Sequence, residues 1–227
     1  MRVFLSAILI ISLSSSLADQ PYELGSRHIP GTGPTGIDNL VYSQTYNFEN
    51  LLNGYSIYGA GDRWACDDVE VIGLAWIHEI YVWMIWTGGH ASTMNLVVSK
   101  DDTGDSDPNT NTDVWAESAS CTNTFTGDSS WGFDIYENHI ILYEDSYTLE
   151  LLPGIHYYFE TQADISDNCF ILVSHNYIGD YCWYNDGSGI WERSDVVFEQ
   201  DSDMFFDFDG QFAAVESETW GNIKILF

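Results

Sequence analysis

Basic side chains are scarce in this chain of 227 residues: six Lys and Arg stand against 35 Asp and Glu, a formal charge of −29. The six are Arg2, Arg27, Arg63, Lys100, Arg193 and Lys224. A surface of that sign repels phosphate backbones and anionic lipid, which excludes nucleic acid as a partner. It suits high solubility, or an affinity for divalent cations. Other signals are missing too. No long window shows a helical period. No C-x-x-C pair occurs, so neither a zinc ribbon nor a thioredoxin-type site is indicated. There is no G-x-S-x-G elbow. "GDSSWG", "GDSDPN" and "GGHAST" do not complete a serine-protease setting, so no triad can be assembled. "HEIYVW" lacks a second His four residues on, as a zincin helix would need. Carboxylates are so numerous that no glycosidase pair stands out. The expectation is a protein without catalytic activity.

Long apolar runs are limited to two. The first opens the chain, "MRVFLSAILIISLSSSLADQ": Arg2, then an apolar stretch from Val3 to Leu13, then small residues up to Ala18. This is the pattern of a secretory signal peptide over residues 1–18, too short for a span. The second, Val71 to Trp86, contains His78 and Glu79 and reads as buried strand. The expected location is therefore secreted: extracellular, at the cell surface or in a periplasm, with no transmembrane segment in the mature chain. Residues 19–41 are Gly- and Pro-rich and read as a leader. Hydrophobic residues make up 45% of the chain, which argues against disorder in the rest.

From residue 42 to 212 short aromatic and β-branched runs alternate with Gly, Asp, Asn and Ser. "IHEIYVWMIW", "MNLVVS", "TDVWAES", "GFDIY", "YTLELL", "IHYYFETQA", "CFILVS" and "MFFDFDGQF" all read as strands. The predicted fold is all-β: one antiparallel β-sandwich of jelly-roll type. Residues 213–227 form a tail, with Trp220, Ile223 and Leu226 or Phe227 at helical spacing, expected as a short helical or extended end piece. Four cysteines, Cys66, Cys121, Cys169 and Cys182, are an even number in an exported chain and predict two disulfides among three connectivities. Cys169 and Cys182 flank an apparent hairpin, "CFILVSHNYIGDYC", and are the preferred pair, worth roughly 3 kcal/mol. Cys66 would then take Cys121.

Two stretches carry candidate sites. In "KDDTGDSDPNTNTD", Asp101, Asp105, Asp107, Asn109 and Asn111 could converge on a calcium ion, with Gly104 and Pro108 bending the chain. The stretch fails the EF-hand template, and the alternative is a solvated acidic loop. In "CWYNDGSGIWERS", Trp183, Tyr184 and Trp191 surround a Gly-rich turn beside Asn185, Asp186 and Arg193. Aromatic faces next to planar polar groups suit a sugar ring; the alternative is that these aromatics pack in the core. A second acidic run, "QDSDMFFDFDG", alternates Asp201, Asp203, Asp207 and Asp209 and is a second candidate for the ion; the alternative is an edge strand with Asp207 and Asp209 in water and Phe206 and Phe208 on the other face.

"WACDDVEV", "AWIHEIYVW", "NLVVSKDDTGDSDPN" and "LLPGIHYYFE", covering Trp64 to Gln162, resemble bacterial exported β-sandwich domains of jelly-roll or carbohydrate-binding-module type. The resemblance implies an extracellular, mostly non-catalytic module and carries no known site. The expected function is a secreted or cell-surface binding module, for glycan or another surface ligand, with calcium as a structural aid. The alternative is a structural or adhesive surface component that acts through assembly or anchoring.

Overall fold

Period-two alternation and β-branched content build strands almost throughout. The computed structural model of the protein describes residues 39–44, 51–142, 149–174, 181–199 and 201–212. Its strands are β1 (Asn39–Ser43), β2 (Leu51–Ser56), β3 (Trp64–Val69), β4 (Ala75–Trp86), β5 (Thr93–Lys100), β6 (Thr112–Ser130), β7 (Phe133–Ile141), β8 (Leu149–Leu151), β9 (Tyr157–Ala163), β10 (Cys169–Ser174), β11 (Trp183–Asn185), β12 (Glu192–Arg193), β13 (Asp203–Met204) and β14 (Phe206–Phe212). One short helix, α1 (Ser194–Phe198), follows β12. The expected signal peptide and the tail 213–227 lie outside the described residues, and β1 begins at Asn39, inside the stretch read as leader.

All pairings between these strands are antiparallel. They form two layers, as the all-β sandwich reading requires. Layer one runs β1-β14-β4-β7-β6, with β8, β10, β2 and β13 attached. Layer two runs β6-β5-β9-β3-β11-β12. The two are continuous through β6, a 19-residue strand whose first half pairs with β5 and whose second half pairs with β7. Both inner faces feed one core. β4 gives Ile80, Val82, Met84 and Trp86; β5 gives Met94, Leu96 and Val98; β9 gives Tyr157 and Phe159; β14 gives Phe206 and Phe208.

β4 is central and apolar on both faces. Its other face packs Tyr81, Trp83 and Ile85 with Ile135, Leu172 and Phe205 in a second cluster. A bulge at His78 lets Ala75 and Ile77 share the main core with Ile80, despite the broken alternation: Asp209 faces Glu79 while Gly210 faces Ile77. Gly210 makes this close approach. A Cβ there would sit 2.0 Å from the Trp76 carbonyl oxygen.

Two expectations are corrected by this arrangement. β14 is not an edge strand; it lies between β4 and β1, with Asp207 buried and accepting from the Ser43 hydroxyl at 2.5 Å. The four cysteines are free thiols rather than disulfides. Cys169 and Cys182 do not flank a hairpin, because β10 pairs within layer one and β11 within layer two. Cys169 lies opposite Trp86 at one end of β10, whereas Cys182 donates its N–H to Ser202, beside the Ser174–Asp203 pair at the other end. Five residues of strand separate those ends by roughly 17 Å, well beyond the reach of a disulfide. Cys66 packs with Tyr158 and Trp183 on the outer face of layer two, while Cys121 belongs to the main core. Burial pushes all four thiols up, Cys121 to about 11 and Cys169 to about 12, so they stay protonated and act as small hydrophobes.

Candidate functional site

The aromatic stretch 183–193 is held by its own neighbours. Trp183 and Tyr184 are both buried and point to opposite faces of β11: Tyr184 into the main core, Trp183 against Cys66 and Tyr158. Neither offers an open face for stacking, which corrects the reading of them as a sugar platform. Trp191 is half-buried against the Trp183 cluster. Asn185 is buried, and its side-chain oxygen accepts from the N–H groups of Gly187 (2.9 Å) and Gly189 (3.2 Å), shaping the turn. Asp186 is exposed and accepts from Ser188 N–H at 3.0 Å. Arg193 lies over the Tyr181 ring, 3.6 Å from its centroid, and forms a two-point pair with Asp195 at 2.9 and 2.6 Å.

The acidic loop folds by turning its side chains onto its own backbone. Asp101 accepts from the N–H groups of Thr103, Gly104 and Ser106. Burial alone would raise its carboxyl, but those three donors outweigh it and hold Asp101 below the usual range. The Thr103 hydroxyl, then Thr110 and the Asp107 N–H, hold Asp105 low as well. Asp107 caps a single 3-10 turn over Pro108–Thr110 by accepting from Asn109 N–H. Asn111 turns toward Ser99 on β5. Among the described residues no group of three or more His, Cys, Asp or Glu is placed to hold a metal ion.

The structure brings these two stretches together, which their separation of some 80 residues in the chain concealed. The Asn109 side chain clamps the Trp191 backbone: it accepts from Trp191 N–H at 2.7 Å and donates to Trp191 C=O at 2.9 Å. A side-chain amide that matches both the N–H and the C=O of one residue acts as a short stretch of sheet pairing. The loop is thereby docked on the 185–191 turn at the β11–β12 side of layer two. The outer face of that layer carries Cys66, Tyr158 and Glu160 as cross-strand neighbours on β3 and β9. Glu160 is buried there, and burial raises its carboxyl to about 7 against a stabilising bond from Ser99.

A concave site lies elsewhere, where the two layers part at the Lys100 end of the core. A cleft of about 360 Å³ is lined by Lys100, Val114, Trp115, Leu149, Glu150, Leu152, Ile155 and Tyr157. A bulge on β6 shapes it: Trp115 pairs with Val98 and Asp113 with Ser99, so Val114 is the extra residue and is exposed at the mouth. The walls are largely apolar, and the polar groups are few. Lys100 is paired with Asp102 at 3.0 Å, Glu150 accepts from Trp76 Nε1 at 3.1 Å, and the Tyr157 hydroxyl accepts from Leu152 N–H at 3.1 Å. Trp115 Nε1 is buried and has no hydrogen-bond partner among the described residues. The sequence signals for this cleft were weak: "TDVWAES" and "YTLELL" read as strands, with nothing to show that their ends face each other.

No known protein family matches the sequence, and no curated protein matches it. Among solved structures, the chain is similar to the cysteine protease and lectin-like domains of Cwp84, a surface layer associated protein of Clostridium difficile. The identity is 9% and the TM-score 0.41, over 66% of this chain. The chain spans about a third (32%) of that one. A likeness of this size carries over neither a fold assignment nor an activity.

Proposed function

We propose that the protein is an exported, non-catalytic binding module that takes an uncharged, hydroxyl-rich ligand, a glycan, in the cleft between the two layers at Trp115 and Tyr157. The observation that carries this reading is the cleft itself: preformed, concave and mostly apolar, with the half-buried indole of Trp115 in its wall. A sugar ring has a C–H face and a hydroxyl edge. The face suits the half-buried Trp115 and Ile155, with Leu152 and Val114 exposed beside them; the edge can donate to the Glu150 carboxylate. Export is supported by the signal-like pattern of residues 1–18.

The test is a screen of neutral oligosaccharides and insoluble polysaccharides, followed by calorimetric titration of the best ligand. Trp115→Ala should weaken binding about tenfold or more, the worth of one good aromatic contact. Asp186→Asn, on the 183–193 stretch, should leave it unchanged. If Asp186→Asn abolishes binding and Trp115→Ala does not, the ligand sits at the 183–193 turn. If no glycan binds at all, the reading is wrong.

A further inference from the structure

The far end of β6 carries a feature that the cleft does not use. Of the Phe and Trp side chains among the described residues, three are strongly exposed: Phe125 at 50%, Trp131 at 47% and Phe133 at 43%. All three fall within nine residues of one hairpin, β6–β7. Trp131 and Gly132 are the two central residues of its turn, with φ of +53° and +83°, and Ser130 pairs with Phe133 across it. Positive φ at both positions is the requirement of a type I′ turn, where Asn-Gly is strongly preferred. A bulky ring in the left-handed region is strained. Trp131 therefore stands where the fold alone would favour another residue.

The rings do not share one face. Phe125 leans on Tyr136, 5.9 Å between centroids, on the side of the main core. Phe133 has the parity of Ile135, which packs on the opposite side of layer one. Trp131 sits at the turn between them, half-exposed. Such a wedge is convex, with apolar surface on both sides. A flat or pocketed ligand touches one side of a wedge, whereas a fluid apolar medium touches all of it.

Backbone pairing with another chain is opposed at this tip. Beyond Asn123, β6 has β7 as its strand neighbour on one side only among the described residues. That open edge is broken by a bulge in which Thr126, Gly127 and Asp128 face the single residue Ile135, with Thr126 Oγ1 bonded to the Ile135 carbonyl at 3.0 Å. Bulges of this kind blunt an edge against strand addition. A second copy is also opposed by charge, −29 on each.

Charge selects the medium. No Lys or Arg occurs between Lys100 and Arg193, and Asp128 and Asp134 flank the tip. Anionic lipid is repelled. A choline-headed lipid instead presents a quaternary ammonium outward over an apolar interior. Aromatic faces beside carboxylates complement that cation, and Trp and Phe settle at the boundary beneath it.

We propose that the tip of the β6–β7 hairpin is a docking wedge that seats Trp131, Phe133 and Phe125 in a net-neutral, choline-headed lipid surface.

The test is co-sedimentation of the full chain with phosphatidylcholine vesicles, and with vesicles in which about a third of the lipid is phosphatidylglycerol. The expected result is binding to the first and weaker binding to the second, partly restored by salt. Trp131→Asn should lower the partition coefficient about tenfold, the worth of a half-exposed ring. It places the preferred residue in the turn, so its melting temperature should equal or exceed that of the parent, which separates lost docking from lost folding. Phe133→Ser should lower partition in the same way, and soluble phosphocholine should not compete, because the rings rather than a headgroup pocket carry the affinity. The proposal is overturned if the parent and Trp131→Asn partition equally, if phosphatidylglycerol strengthens binding, if phosphocholine displaces the protein, or if light scattering shows a dimer that Trp131→Asn dissolves. Vesicle binding should be untouched by Trp115→Ala, and glycan binding by Trp131→Asn, so this proposal and the cleft reading fail separately.

Discussion

Replacing Glu160 with Gln should make the protein more stable near neutral pH and leave it unchanged in acid. Glu160 sits mid-strand in β9, between Cys66 on β3 and Val97 on β5. It is buried on the outer face of layer two. Burial is the main cause of its raised pKa, the Ser99 hydroxyl opposes the rise, and Asp113 adds to it; the carboxyl moves from 4.5 to about 7. A carboxyl raised in the folded state binds its proton more tightly there than in the unfolded chain. Its favourable contribution is therefore complete below pH 4.5 and is lost as pH rises through about 7. A shift of this size corresponds to about 3 kcal/mol between the two ends of the window. Gln keeps the shape and can still accept from Ser99, but it cannot ionise. The stability difference between Glu160→Gln and the parent should thus grow by about 3 kcal/mol from acid to about pH 8. For a domain of this size that is roughly 6–12 °C in melting temperature. Urea unfolding of both proteins across that range measures it. Asp67, whose carboxyl is also raised by burial and by neighbouring Asp203 and Asp68, is present in both proteins and cancels in the difference. A difference that stays flat with pH, or shrinks as pH rises, refutes the placement of Glu160 in a desolvated site.

The thiol reading gives a simple count: in guanidinium without reductant, a thiol reagent should find four free cysteines, and in native buffer react with them only slowly. Two or fewer in the denatured chain would restore a disulfide. The acidic loop makes a contrary claim to its metal-binding appearance. Asp101, Asp105 and Asp107 already accept from loop N–H groups, so millimolar calcium should leave the melting temperature where chelator leaves it. A rise of several degrees, removed by Asp105→Asn with Asp107→Asn, would show that the carboxylates leave their turns to bind the ion.

How far the sequence could be read depended on whether a feature was local. β4 was legible because an unbroken apolar run needs cover on both faces, and both clusters are there. β5 was legible from its alternation, Met94, Leu96 and Val98 inward. β9 was read as a strand, but not as one buried on both faces, with Glu160, Thr161 and Gln162 among its buried residues. Their burial depends on what lies over layer two, which is tertiary information. The same holds for Trp183: packing against Cys66 and Tyr158 was not written in "CWYNDGSG". The cysteine pairing failed because an even count says nothing of distance, and β10 and β11 part into different layers. β14 showed its inward Phe206 and Phe208 correctly, yet β1 added outside it from a stretch too rich in Gly and Pro to read as strand. At the hairpin tip "SSWGF" lacks the Asn-Gly signature that normally announces such a turn, so nothing local marked it.

β6 ties these observations to function. A sandwich needs each layer to close on the other, and here one strand belongs to both, turning from β5 to β7 near Ser120 and Cys121. A strand that long has two ends that the core does not control equally. At its start the Val114 bulge turns Trp115 into the mouth of the sandwich. At its finish the bulge at Thr126 to Asp128 interrupts the pairing with β7 before Ser129 and Ser130 resume it, and Phe125, Trp131 and Phe133 stand in solvent around it. Val114 and Trp131 are 17 residues apart, so at about 3.3 Å per residue the two features lie up to roughly 55 Å apart along the strand. That separation lets both surfaces be occupied at once without steric conflict. A module docked by its aromatic tip would hold its cleft away from the surface it rests on. The acidic charge would keep the rest of the molecule clear of anionic neighbours. If both proposals hold, vesicle-bound protein should bind glycan with the same affinity as free protein, because neither site borrows a residue from the other. A loss of glycan binding on vesicles would mean that the cleft faces the lipid, and the orientation argued from β6 would have to be reversed.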